Sequence, residues 1–236
     1  ESIIHQTLNP SEVVIVEDGP LTPELYQVLE KLEAQSSILI KRCPLEQNRG
    51  LGLALQYGVL QCQYDVIARM DTDDIAVEDR FEQQFELMEK ENLDLLGGHI
   101  AEFIDQPDEI VSYRRVPTKH EDIIAYQRMR SAFNHMTVMF KKEMVLKAGN
   151  YEDGLYMEDD LLWLNMISAG ARTGNVDQIL CKVRVGAGMF ERRGGLRYLK
   201  LYRQARQRMH ARGQISYGEY LKSVLIQVVV ALCPGF

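Results

Sequence analysis

Residues 65–74 read Asp65-Val66-Ile67-Ala68-Arg69-Met70-Asp71-Thr72-Asp73-Asp74, a stretch of strand character running directly into an acidic turn. A helical stripe at Phe81, Phe85 and Met88 follows it. The same alternation extends toward the amino terminus. Glu12-Val13-Val14-Ile15-Val16 is a continuous apolar run closed by Asp18-Gly19-Pro20, the pattern of a strand buried on both faces that ends in a turn. Thr22 suits an N-cap and Pro23 the first helical position, with Leu25, Val28, Leu29 and Leu32 recurring on one face. A strand over 38–40 and a stripe at Leu51, Leu55 and Val59 come next, and 93–98 reads as a further strand. Strands alternating with helices imply right-handed crossovers in a mostly parallel sheet covered on both faces, an α/β fold of nucleotide-binding character.

After Gly98 the rhythm shortens, with strands predicted over 110–116, 136–140 and 180–185 and helices over 121–129 and 158–168. A mixed second half packed on the first fits this pattern better than an independent domain. Two helices are expected in the tail. Tyr198, Tyr202, Ala205 and Met209 share one face of the first, and 224–232 is an apolar stretch of the second, shorter than the ~20 residues a bilayer crossing needs.

With 236 residues, 46% of them hydrophobic, the chain can bury the core of one substantial domain. Its net charge of -7 argues against a nucleic-acid partner, which would want a basic excess. Locally the balance reverses: Arg192, Arg193, Arg197, Lys200, Arg203, Arg206, Arg208 and Arg212 follow one another with no acidic residue between them. A basic helix followed by an apolar one suits a peripheral membrane interface; two helices packed on the domain with solvated arginines fit equally. The cysteines at 43, 62, 181 and 233 form no Cys-x-x-Cys pair, which favours reduced thiols in a cytoplasmic setting. The chain opens at Glu1 without a Met, a basic n-region or a long apolar run, so no signal peptide is read there.

The acidic turn lies where ligands of open α/β sheets bind, outside the carboxyl end of a strand. Adjacent carboxylates repel one another, and a hard divalent cation shared with substrate phosphates offsets that repulsion. An acidic turn capping the next helix is the competing reading. A second group, Glu158-Asp159-Asp160, precedes Leu161-Leu162-Trp163, where the helix macrodipole alone also favours acids. The pairing of both groups with Asp18 at another strand end, and with Asn48-Arg49-Gly50 before a helix, shifts the balance toward one set holding nucleotide and metal while the other supplies a base.

These motifs resemble the family 2 glycosyltransferases of the GT-A fold, and more closely those that assemble bacterial exopolysaccharides and O-antigens. Val13-Val14-Ile15-Val16-Glu17-Asp18-Gly19-Pro20 is similar to the family's strand and Asp-Asp-Gly-Ser turn, with Glu17 and Pro20 as departures. Asn48-Arg49-Gly50-Leu51-Gly52-Leu53-Ala54-Leu55-Gln56-Tyr57-Gly58 resembles its Asn-x-Gly-x-x-x-Ala-x-Asn-x-Gly signature. Asp71-Thr72-Asp73 matches its Asp-x-Asp motif, and Glu158-Asp159 with Leu162-Trp163 its Glu-Asp motif. The family opens with a strand of the Val-Ser-Ile-Ile-Pro type, and Glu1 begins within the helix that should follow it.

The resemblance implies a GT-A domain over 1–190, with a nucleotide-binding half over 1–98 and an acceptor half over 99–190, followed by a basic and apolar tail over 191–236. It implies that Asp18 and Asn48 serve the nucleotide, Asp71 the ribose or donor sugar, and Asp73 a Mn²⁺ or Mg²⁺ bridging the diphosphate. Asp159 is the implied general base with Glu158 in support; Arg184, and Arg193 from a loop, meet the pyrophosphate. His135 and Trp163 are weaker acceptor-side candidates, each also readable as core. The implied reaction moves a hexosyl unit, with inversion, from a nucleotide-diphosphate sugar, UDP-linked by preference, to a hydroxyl of a lipid-linked or oligosaccharide acceptor at the cytoplasmic face of the membrane. A sugar-phosphate nucleotidyltransferase is the rival enzyme, although the region of its Gly-rich phosphate loop is absent. A haloacid-dehalogenase-type phosphatase fits poorly at Asp74-Ile75, and a binding-only relative would have lost the metal or base carboxylate.

Overall fold

The computed structural model describes residues 1–153, 156–186 and 195–232. Strand β1 (Glu12–Glu17) leads into helix α1 (Pro23–Gln35) and returns as β2 (Leu39–Pro44), paired in parallel from Glu12 opposite Leu39 to Glu17 opposite Pro44. The α1 start follows its local sequence. Pro23 occupies the first turn, and Thr22 Oγ1 accepts the Leu25 N–H at 3.4 Å. Its apolar stripe does not sink into a core, because no residue of α1 is buried and Leu25 and Val28 are exposed. Helix α2 (Leu51–Gln61) packs on β1 and buries Ala54 and Val59.

The second sheet has six strands: β3 (Val66–Ala68), β4 (Ile75–Ala76), β5 (Leu95–Phe103), β6 (Ile110–Arg114), β7 (Met139–Lys141) and β8 (Thr173–Arg184). Their order is β3-β7-β5-β8-β4, with β6 also on β5. Parallel pairing joins β1 to β2 and β5 to β8, while the other four pairings are antiparallel. The mostly parallel expectation therefore holds for the long strands and not for the short ones. Strands β3, β4 and β7 span two or three residues each and pair antiparallel with each of their partners. Helix α3 (Arg80–Glu91) buries Phe81 and Met88 against β5 and β8. Helices α4 (His120–Gln127), α5 (Lys142–Lys147) and α6 (Glu158–Ser168) cover the other core, centred on Trp163 with Phe133 and Phe140.

The tail forms two helices, α7 (Gly195–Ala211) and α8 (Tyr217–Leu232). Ala205, Met209 and Ile215 pack against Met157, Leu161 and Leu164, which fixes α7 to α6. Its basic residues divide into two groups. Arg206 is only 2% exposed; its Nε donates to Ser223 Oγ at 3.0 Å, its Nη2 to the Arg128 carbonyl, and its charge faces the half-buried Asp160. Arg208 and Arg212 pair with Glu152 at 3.3 and 2.5 Å. Arg206 is thus buried in the fold while Arg208 and Arg212 stay partly in solvent as ion partners of Glu152, so the tail arginines are not all simply solvated; Arg192 and Arg193 lie outside the described residues. Cys43, Cys62 and Cys181 are free thiols, and Cys233 also lies outside the described residues.

Removing a buried cation's bonds strands its polar partners. Arg206→Leu is expected to lower the unfolding free energy by about 3 kcal/mol, whereas Arg203→Gln on the exposed side of α7 should stay within about 0.5 kcal/mol of wild type. Urea unfolding followed by circular dichroism measures both.

Candidate active site

Strand β3 stops where Arg69 N–H reaches across to the Val138 carbonyl at 2.9 Å, and the chain then turns through Asp71-Thr72-Asp73-Asp74. Residues two apart on an extended chain point the same way, so Arg69 and Asp71 share a face, and the Arg69 guanidinium meets both Asp71 carboxylate oxygens. Asp73 is exposed and has no hydrogen bond or salt bridge among the described residues. Asp74 folds back, and its Oδ1 accepts the Arg184 N–H at 3.0 Å, tying the acidic turn to the end of β8. Burial, followed by the charges of Asp71 and Asp73, pushes the Asp74 carboxyl up to about 6 against the pull of that N–H. Among the described residues no three His, Cys, Asp or Glu side chains form a group that could hold a metal by themselves. The set nevertheless suits Mg²⁺ or Mn²⁺ in the mode completed by phosphate oxygens: one open carboxylate, two more beside it, and a repulsion that a cation relieves.

Asp18 closes the second part of the site. Its Oδ1 accepts the Arg49 N–H at 2.7 Å and its Oδ2 the Gly50 N–H at 3.0 Å, while Asn48 Nδ2 donates to the Asp18 carbonyl at 3.1 Å. Gly19 makes this turn possible: its φ is 94°, and a Cβ there would stand 2.8 Å from the Asn48 nitrogen. The expected pair of Asp18 and Asn48 is therefore joined at the start of α2, an end that attracts anions.

The carboxylates at the start of α6 face this end. A Cβ on Gly52 would lie 2.3 Å from the Glu152 carbonyl oxygen and 3.3 Å from Glu158 Cβ, so only glycine lets α2 approach α6 this closely. Asp159 Oδ1 accepts the Asp160 N–H at 2.9 Å. Burial, then the neighbouring Asp159 charge, raises the Glu158 carboxyl above its ordinary value. Asp160 is half-buried, and its Oδ1 accepts from Gln127 Nε2 at 2.7 Å.

Beneath these groups, His135 Nε2 lies 2.9 Å from the Tyr151 hydroxyl. Burial, and secondarily the Arg69 charge, holds the His135 imidazole well below its ordinary pKa, so it is neutral. Burial likewise raises the Tyr151 phenol and keeps it protonated. Trp163 is 0% exposed, its ring packed against Phe133, His135, Phe140 and Tyr151. This corrects its reading as an acceptor platform, because core and site side chains occupy the space a sugar would need. The Arg184 guanidinium also departs from expectation. It lies over the Phe103 ring at 4.7 Å and donates to the Ile104 and Asp105 carbonyls at 3.2 and 3.3 Å, so its backbone N–H, rather than its charge, touches the acidic turn. Arg193 lies outside the described residues.

Three residues that the sequence reading did not assign belong to this constellation. Arg69 is 7% exposed, neutralises Asp71, acts on His135, Tyr151 and Glu158, and has an Nε without a partner among the described residues. The alternation of Arg69 with Asp71 was its only local signal. Tyr151 and Gly52 gave no signal, since their roles arise from contacts 16 residues or more away in the chain.

The family model described as Glycosyl transferase family 2 matches residues 1–150. The amylovoran biosynthesis glycosyltransferase AmsE of Erwinia amylovora is 42% identical over 201 residues, 85% of this chain and 74% of its own. The UDP-Gal:alpha-D-GlcNAc-diphosphoundecaprenol beta-1,3-galactosyltransferase of Escherichia coli is 33% identical over 235 residues, 99% of this chain and 84% of its own. A mannosyltransferase of Pyrobaculum calidifontis, solved with GDP-Man and Mn²⁺, superposes with a TM-score of 0.66 over 97% of this chain and 64% of its own, at 14% identity. With the acidic turn at the end of β3 and Glu158 packed against the start of α2, these matches establish that the chain belongs to glycosyl transferase family 2 and has the GT-A fold.

Proposed function

We propose that the chain is an inverting hexosyltransferase of bacterial cell-surface polysaccharide synthesis, taking its sugar from a nucleoside diphosphate donor, UDP-linked by preference, and delivering it to a hydroxyl of a lipid-linked or oligosaccharide acceptor. The observation that carries this reading is the approach of α2 to α6 at Gly52, which sets the start of α2, bearing Asn48, and the Asp18 turn against the carboxylates of Glu158 and Asp159. The E. coli relative named for UDP-Gal and a diphosphoundecaprenol-linked sugar supports the donor and acceptor classes. The free thiols support a reducing, cytoplasmic compartment.

In the proposed step, the acceptor oxygen forms a bond to the anomeric carbon as the bond to the diphosphate oxygen breaks. Asp159 takes the hydroxyl proton, and one displacement inverts the centre. Glu158 supports Asp159 as its neighbour at the start of α6, its own carboxyl raised by burial and then by the Asp159 charge. Asp18 and Asn48 orient the nucleotide at the start of α2, and Asp71, held rigid by Arg69, orients the ribose or donor sugar. Asp73 would hold Mn²⁺ or Mg²⁺, which when bound stabilises the charge on the departing diphosphate.

Asp159→Asn should lower the transfer rate by ~10²-fold or more with donor affinity and folding retained, as measured by steady-state transfer and UDP calorimetry. Turnover near wild type would remove Asp159 from the base role, because Asn caps a helix about as well as Asp. Asp73→Ala should weaken UDP binding only when Mn²⁺ is present; equal affinities with and without the ion would sink the metal assignment. Asp74 gives a pH test. A carboxyl raised on folding costs stability once ionised, so the cost is absent below its unfolded pKa of 3.8 and fully present above about 6. Asp74→Asn in chelator is therefore expected to raise the melting temperature at neutral pH, with the gain vanishing near pH 4, as thermal unfolding across pH will show.

A further inference from the structure

Helix α8 has its amphipathicity inverted. Leu221, Leu225, Ile226, Val229 and Val230 recur at helical spacing and are all exposed, with Leu225 at 64% and Val229 at 62%. The inward side carries the buried Ser223, whose Oγ accepts from Arg206 and donates to the Tyr220 carbonyl. A surface helix of a globular protein normally turns its aliphatic stripe to the core, and a contiguous exposed stripe marks a docking surface.

Charge identifies the occupant. Residues 195–232 hold seven Lys and Arg against one acidic residue, Glu219, in a chain that carries 27 against 34 overall. Arg206 is buried, and Arg208 and Arg212 are paired with Glu152. Arg197, Lys200 and Arg203 of α7 and Lys222 of α8, which lies within the aliphatic stripe, remain exposed. A second copy of the chain docking through the same face would bring two such basic hairpins together, and like charges oppose that pairing. No helix among the described residues is long and apolar enough to cross a membrane, so a lipid partner would be met at its surface.

We propose that the outward face of α8, flanked by the exposed cations of α7 and by Lys222, docks on an anionic lipid surface, with its aliphatic side chains in the headgroup boundary and its cations on lipid phosphates. The hairpin is bonded through Arg206 and packed through Ala205 and Met209 onto the helix that bears Glu158 and Asp159. Docking therefore holds the candidate site at a fixed height over the lipid. The inference goes beyond the proposed reaction, and its test needs no turnover, so either can fail alone.

The test is co-flotation of the full chain with phosphatidylcholine vesicles, with and without phosphatidylglycerol. Binding is expected with phosphatidylglycerol at low salt, and it should fall at high salt and on phosphatidylcholine alone. Leu225→Glu combined with Val229→Glu should reduce the bound fraction about tenfold, and Arg197→Gln with Lys200→Gln and Arg203→Gln should bring it near the phosphatidylcholine level. All five positions are exposed, and circular dichroism verifies that the variants fold. A wild type that ignores anionic vesicles at low salt, or a double glutamate variant that binds like wild type, overturns the proposal. So does a dimer in analytical ultracentrifugation that the glutamates convert to monomer, since a second copy would then cover the face.

Discussion

The guanidinium of Arg80 is the fixed point on which the site rests. It is 0% exposed, and its hydrogen-bond partners are Gln84 Oε1 at 2.9 Å, the Arg69 carbonyl at 2.8 Å, the Val138 carbonyl at 3.4 Å and the sulfurs of Met70 and Cys181; no carboxylate is among them. Taking a cation out of water costs several kcal/mol, and burial accordingly pushes the Arg80 pKa down. The fold tolerates this because the planar fork satisfies several acceptors at once. Two of those acceptors, the carbonyls of Arg69 and Val138, belong to the backbone junction from which the acidic turn departs. Gln84, one turn further along α3, continues the network to the Thr137 carbonyl at 2.8 Å, and Thr137 Oγ1 donates to the Asn134 carbonyl at 2.7 Å. The acidic turn and His135 thus stand on one buried polar foundation.

Local chemistry made part of this architecture legible. The continuous apolar run of β1, the Thr22-Pro23 start of α1 and the helix over 158–168 were all visible, since each depends on residues adjacent in the chain. Strands of two or three residues, such as β4 and β7, offer no periodicity to read and exist only through their partners. In α1 the stripe was real as a pattern, but the two-stranded β1–β2 sheet leaves Leu25 and Val28 without a surface to cover. At the site, the carboxylates were found because acids clustered at strand and helix ends are conspicuous. Arg69, Tyr151 and Gly52 were not, because their meaning lies in what the folded chain brings to them.

The tail is more than an appendage to the site. Arg208 and Arg212 hold Glu152, and the hydrogen bond from Arg212 is the main reason its carboxyl lies below the usual range. The carbonyl of the same Glu152 is what Gly52 of α2 closes upon. A continuous line of contacts therefore runs from α7 through one glutamate to the start of α2, beside Glu158 at the start of α6.

The electrostatics of the site leave it asking for positive charge. Asp71, Asp73 and Asp74 crowd one turn, Glu158 and Asp159 stand together at the start of α6, and the charge of the buried Arg69 acts on Asp74 and on Glu158. Arg69 is committed to Asp71, and burial, with the Asp71 and Asp73 charges behind it, leaves Asp74 holding its proton to about pH 6. The turn thus carries more carboxylate than its buried cation neutralises, the condition under which a hard cation relieves repulsion.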